Sequence, residues 1–310
     1  MSLFCRVQGK AGCRVRPSAH CRPLRNALRR QVLCLKTICA CDVKRIQEAL
    51  DNGCGLKNWT REGQALSAAN SYGTWGFWAP EVYYIKSKNK FYLFYSTEEH
   101  ICVATADVPQ GPFRQEVKQP IWGEKSIDTS LFIDDDGTPY LYFVRFTDGN
   151  VIWVAEMNDD LTGIKQETLT ECIKAEEPWE LSQDKPAKVA EGPSVLKKNG
   201  IYYLIYSANH FESKNYGVGY ATSDSPMGPW TKYVGNPILQ RVDELMGTGH
   251  GVPFLCKDGS WKYIFHAHWS STKVQPRTSY IKDFAISDRG VVSIGGDIIR
   301  PQVVSNASEK

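Results

Sequence analysis

Four stretches of the chain place their apolar and polar residues in the same order. Residues 79–95 read APEVYYIKSKNKFYLFY, 127–143 IDTSLFIDDDGTPYLYF, 190–206 AEGPSVLKKNGIYYLIY and 249–265 GHGVPFLCKDGSWKYIF. Each opens on a polar head and runs through a short apolar strand. Each then turns at Lys, Asn, Asp or Gly and returns along an aromatic-rich strand, which predicts a β-hairpin. The heads, Glu81, Asp128, Glu191 and His250, lie 47, 63 and 59 residues apart, a spacing suited to one propeller blade per unit.

Further strands fall between the hairpins. A third strand is predicted at 101–106 (ICVATA) and at 216–222 (YGVGYAT), and an outer edge strand at 57–62, 111–116 and 228–233, each a turn followed by an aromatic residue. Four strands per unit, repeated radially, make an all-β propeller. Residues 56–66 then belong to an earlier blade without an inner hairpin of its own, and the strands in 278–299 complete the last one. The expectation is a five-bladed β-propeller over 56–304 whose first blade is incomplete or replaced, followed by a tail, 305–310. No stretch after Gly55 sustains a helical period, which excludes alternating helix–strand folds.

Charge and cysteine set residues 1–55 apart as an anomalous segment. Residues 1–54 hold eleven Lys/Arg against three acids, and seven of the ten cysteines lie at or before Cys54. The remainder is mildly acidic, with 26 basic and 31 acidic residues. The basic arm has one aromatic residue, Phe4, so nucleic acid is not an expected partner. It also lacks strand-like alternation, and the expectation for it is a poorly ordered tail or a mistranslated start. Within it, 42–52 predicts a short helix, capped by Asp42, with Val43, Ile46 and Leu50 on one face and Gly53 as the stop. No apolar run reaches the length of a membrane span and no secretory leader is visible, so no membrane partner and, by default, a cytoplasmic location are expected. Cys102, Cys172 and Cys256 are too scattered for a disulfide framework or a metal site and are expected as free thiols.

The phrases WAPEV (78–82), SIDTSLFIDDDG (126–137), EGPSVLKKNGIYYLIYS (191–207), SDSPMGPW (223–230) and GTGHGVPF (247–254), in this order, resemble glycoside hydrolase family 43. The resemblance covers roughly 56–304. It implies a five-bladed propeller and an inverting hydrolase of arabinofuranosyl or xylosyl groups, with an oligosaccharide as partner and no organic cofactor. It implies Glu191 of Glu-Gly-Pro as general acid and Asp128 as the residue that tunes and orients it. It implies His250 as a holder of a structural calcium ion or other cation on the propeller axis, often through water, and Arg277 as a sugar contact. The general base should come from an Asp-Pro in the first blade, and residues 1–55 contain none.

The chemistry makes that gap matter. An inverting glycosidase needs one protonated carboxyl for the leaving oxygen and one carboxylate to activate water from the opposite face. Heads of inner propeller strands converge on one funnel, where burial and a neighbouring charge raise a carboxyl's pKa. Trp75, Phe77 and Trp78, clustered beside Glu81, are candidates for a wall that stacks on a sugar ring, with Glu81 a further substrate contact and His210 a further cavity residue. A catalytically weak carbohydrate-binding propeller is the alternative reading.

Overall fold

The computed structural model describes residues 56–304 apart from 184, 186 and 257, together with three strands nearer the N-terminus. These are β1 (Ser2–Phe4), β2 (Leu33–Leu35) and β3 (Ile46–Asp51), followed by β4 (Asn58–Leu66). Three strands, β5 (Trp78–Ile85), β6 (Lys90–Thr97) and β7 (His100–Ala106), form the next blade. The blade after it holds β8 (Ser126–Ile133), β9 (Pro139–Phe146), β10 (Asn150–Glu156) and β11 (Thr170–Ile173). Then come β12 (Ala190–Lys198), β13 (Ile201–Ala208), β14 (Gly217–Ser223) and β15 (Thr231–Lys232). The last blade is β16 (Gly249–Leu255), β17 (Trp261–Ala267), β18 (Thr278–Ile286) and β19 (Val292–Ile299), and β20 (Gln302–Val304) follows it.

The second strand of each blade explains its own sequence. On β9, Leu141 and Phe143 face the core shared with the preceding blade, while Tyr140, Tyr142 and Val144 face the core shared with the next. On β13, Tyr202, Leu204 and Tyr206 face one way and Tyr203 and Ile205 the other. Side chains alternate across a strand, and here both faces are dry, so the run is apolar at every position. Phe143 is fully buried, and Phe143→Ala should cost about 3–5 kcal/mol.

Among the described residues the strands form four sheets, and the expected fifth blade is not a separate one, because β1, β2 and β3 run on between β4 and β5. The result is one eight-stranded sheet in the order β20-β4-β3-β1-β2-β5-β6-β7. The helix expected over 42–52 is corrected as well: Ile46–Asp51 is a strand, antiparallel to β4 from Ile46↔Leu66 to Asp51↔Trp59. A weak amphipathic signal gives way to pairing with an otherwise open strand edge. The rest of 42–52 lies outside the described residues, as does most of 1–55.

On its other edge β4 takes β20 in parallel, with Val303 opposite Trp59. Leu56 and Trp59 pack with Val252, Ile264 and Ile281 of the last blade. Trp59 donates its indole N–H to the Leu56 carbonyl at 2.7 Å. Both ends of the propeller meet at β4. Cys102 and Cys172 are free thiols, and burial pushes Cys102 up to about 12. Among the described residues no helix is long and apolar enough to cross a membrane.

Candidate active site

The inner strands β5, β8, β12 and β16 each carry one extra residue near their heads. Trp78 pairs with Ser96 and Glu81 with Phe94; Ile127 pairs with Val144 and Ser130 with Tyr142. Glu191 pairs with Ser207 and Ser194 with Ile205; Gly249 pairs with His266 and Val252 with Ile264. Three steps on the inner strand match two on its neighbour, which defines a β-bulge. In all four the residue after the upper pair is left-handed: Ala79 (φ 41°), Asp128 (58°), Gly192 (57°) and His250 (49°).

This register corrects the equivalence of the four polar heads. Asp128 and His250 occupy the same bulge position, Glu191 stands one residue earlier and Glu81 two residues later. The bulge turns consecutive side chains into the funnel, and acids one residue apart in register both reach it. Gly192 meets the left-handed requirement without a Cβ, whose place would lie 3.2 Å from the His250 ring.

The left-handed residues also join the blades. Asp128 donates its backbone N–H to Ser96 Oγ at 3.0 Å, and His250 donates its own to Ser207 Oγ at 2.7 Å. Each serine lies at the upper pair of the preceding blade. The corresponding residue between them is Val144, which has no hydroxyl, and there the Gly192 N–H donates to Asp128 Oδ2 at 3.3 Å. Asp128 thus serves both the site and a blade junction.

Glu191 is buried, and both carboxyl oxygens have donors. The Tyr216 hydroxyl donates to Oε1 at 2.7 Å and Asn150 Nδ2 to Oε2 at 2.8 Å. Burial raises its pKa above the usual carboxylate range, against the Tyr216 and Asn150 hydrogen bonds and the Arg277 charge, which favour the ionised form. Asp128 is pushed well above its ordinary value, first by burial and then by the Glu191 charge. His250 Nδ1 stands 3.8 Å from Asp128 Oδ2.

On the far side, Arg277 Nη1 donates to His266 Nε2 at 2.6 Å. A guanidinium only donates, so the imidazole accepts there, neutral, with its proton on Nδ1. His266 stacks on Tyr216 with ring centres 5.8 Å apart and 9° between planes. The Phe211 ring lies 5.0 Å from the Arg277 guanidinium carbon.

These groups, Tyr216 apart, line one cavity of about 480 Å³, which also takes in Trp78, Glu81 and His210. Glu81 Oε2 accepts the Tyr83 hydroxyl. Trp75 and Phe77 do not line the cavity. Trp75 is 58% exposed and meets Trp78 edge-to-face at 6.2 Å, whereas Phe77 is buried in the core and stacks on Tyr95 at 5.9 Å. The sequence reading missed Asn150 and Tyr216. The signal available was position: Asn150 begins β10 and Tyr216 directly precedes β14, the third strands of their blades.

Residues 54–292 match the family described as Glycosyl hydrolases family 43. The chain belongs to this family. It is 27% identical over 235 residues to the beta-D-galactofuranosidase xynD of Aspergillus niger, covering 69% of this chain and 64% of that protein. Against the beta-xylosidase of Xylanibacter ruminicola it is 32% identical over 210 residues, covering 59% and 62%. The chain therefore spans less than two thirds of the length of these relatives. A crystal structure of an endo-1,4-beta-xylanase from Bacteroides thetaiotaomicron superposes with a TM-score of 0.79 at 76% identity, covering 81% of this chain and 86% of that one.

The resemblance to family 43 implies an axial cation, and one donor cluster bears on it. Donor atoms of Asp128, Glu191 and His250 lie within 4.8 Å of one another. Calcium takes six to eight oxygens, and two carboxylates with one imidazole nitrogen do not supply them. Both Glu191 oxygens moreover accept protein donors. The three residues do not fit direct calcium coordination.

Proposed function

We propose that this family 43 chain is an inverting glycoside hydrolase acting on xylosyl or arabinofuranosyl groups of plant-type oligosaccharides, with Glu191 as general acid. The observation that carries the reading is the Glu191 carboxyl, desolvated yet lining an open cavity beside a second buried acid. Burial raises its pKa above the usual carboxylate range, the direction a general acid requires. The substrate class is supported by the relatives named for xylosidase and xylanase activity. In the step, the Glu191 O–H bond breaks and the glycosidic oxygen takes the proton. The C–O bond opens as water bonds to the anomeric carbon from the other face and gives its proton to the general base, leaving a free sugar hydroxyl.

Asp128 is the tuner in this reading. Its donor atoms come within 4.8 Å of those of Glu191, too close for the roughly 6.5–9.5 Å of an inverting acid–base pair. That spacing approaches the roughly 5–5.5 Å of a retaining pair, but a nucleophile must be ionised and reach the sugar. Asp128 is 5% exposed, burial pushes its pKa well above the ordinary range, and Oδ2 accepts the Gly192 amide. The water-activating base belongs to the inner strand of a first blade, where 1–55 carry no Asp-Pro. That observation favours a second reading, a carbohydrate-binding propeller with weak turnover.

Release of nitrophenol from aryl β-xylosides and aryl α-arabinofuranosides tests the two. Turnover supports the hydrolase; calorimetric binding of xylo-oligosaccharides without turnover supports the second reading; neither result refutes both. A hydrated calcium ion held by His250 through water also belongs to the proposal, since direct coordination does not fit. A melting temperature that chelator leaves unchanged would remove it.

A further inference from the structure

Glu191 is gripped unequally at its two oxygens. Asn150 offers Oε2 an amide N–H, and turning that amide round would set its carbonyl oxygen against the carboxylate. Oε1 meets a hydroxyl, whose oxygen can both donate and accept. Tyr216 is fully buried, and burial followed by the Glu191 charge keeps it a phenol far above its ordinary range. Its ring is clamped on His266, which the Arg277 guanidinium holds in turn. Gly249 lacks a Cβ where one would lie 2.2 Å from the Tyr216 ring.

We propose that Tyr216 is a positioning residue for the acid, which fixes Oε1 as the oxygen that delivers the proton, with Asn150 keeping Oε2 out of the transfer. The inference rests on Glu191 being the general acid. As the Oε1–H bond breaks and its electron pair stays on Oε1, the Tyr216 O–H donates to a growing negative charge. Such a hydrogen bond strengthens when its acceptor becomes ionised, so it favours the transition state over the protonated ground state. The same geometry links the sugar end of the cavity to the acid. Arg277 orients His266, His266 seats the Tyr216 ring, and Tyr216 sets Glu191.

The test removes one oxygen and leaves the ring. In Tyr216→Phe the stack on His266 persists, but Glu191 loses a donor that favours its ionised form. The carboxyl should then titrate at higher pH, by about one unit. The carboxyl carbon of labelled Glu, assigned by its disappearance in Glu191→Gln, reports this directly and needs no turnover. In the pH–rate profile the alkaline limb should move up by the same amount. For a xyloside with a poor leaving group kcat should fall about tenfold with KM little changed. Asn150→Ala, the second variant, should shift the same resonance upward. A Glu191 midpoint equal to the parent's in both variants overturns the proposal, as does a Tyr216→Phe profile that does not move. A Glu191→Gln variant that hydrolyses poor leaving groups at the parent rate instead sinks the general-acid assignment itself, so the two failures are separable.

Discussion

Replacing Glu191 by Gln takes away one proton and almost no volume. A lost general acid costs about 10²–10⁴ in rate, or about 3–5 kcal/mol of barrier at 1.36 kcal/mol per decade. The structural cost is small by comparison. The new amide can keep its oxygen against the Tyr216 hydroxyl, and its nitrogen then faces Asn150 Nδ2, donor against donor. Rotating the Asn150 amide presents its oxygen and restores the pair. The variant also removes an ionisable group from beside Asp128, whose proton affinity the Glu191 charge raises. Its melting temperature should therefore match or exceed the parent's. The decisive assay compares leaving groups. On xylobiose, which needs protonation, the rate should fall by at least 10²-fold. On a dinitrophenyl glycoside, whose leaving group departs unaided, the loss should be below about tenfold. Equal losses on both substrates would refute proton donation by Glu191, and so would no loss on either.

Two further variants probe the site's supports. Asp128 has a raised folded-state pKa, so the native state binds its proton more tightly than the unfolded chain does. The stability it contributes is complete below the ordinary carboxylate pKa and is lost as pH rises through the folded value. Asp128→Asn keeps an acceptor for the Gly192 N–H, and thermal melts should show it gaining on the parent at pH 7 but not at pH 4. Gly249→Ala sets a methyl 2.2 Å from the Tyr216 ring. It should destabilise by about 1–3 kcal/mol and shift the Glu191 titration as Tyr216→Phe does.

Hairpins were legible in the sequence because the second strands carry apolar residues at every position, a signal that comes from being buried on both faces. The cavity residues Glu191, Asp128, His250, Trp78 and Glu81 were legible as polar or aromatic residues at or beside strand heads, and Arg277 through the family resemblance alone. Phe77 was not separable from Trp78, since neighbours on a strand point to opposite sides and the bulge between Trp78 and Glu81 hides which side is the funnel. The helix expected over 42–52 failed for a related reason. Its three apolar positions fit a helical face, but a short amphipathic pattern carries no information about an open strand edge waiting at β4. Asn150 and Tyr216 were missed because they act through hydrogen bonds across 41 and 25 residues of sequence, which no local period encodes and only their place at third-strand starts hints at.

The bulges connect the fold to the chemistry. A regular inner strand would alternate its side chains, sending Asp128 toward the funnel and its neighbours into the sheet. One inserted residue with left-handed backbone breaks that alternation at the same level in four blades. It lets Glu191, which is paired, and Asp128, which is unpaired, approach within 4.8 Å. The same residue turns its N–H sideways, where Ser96, Ser207 or the Asp128 carboxylate receives it from the adjacent blade. The backbone distortion is thus held by the interface it helps to make. A left-handed Asp or His costs of order 1–3 kcal/mol where nothing supports it, and a buried hydrogen bond between blades offsets about 0.5–1.5 kcal/mol of that. At the junction where Val144 offers no hydroxyl, the Asp128 carboxylate accepts the Gly192 N–H instead, so the buried acid beside Glu191 also ties two blades together.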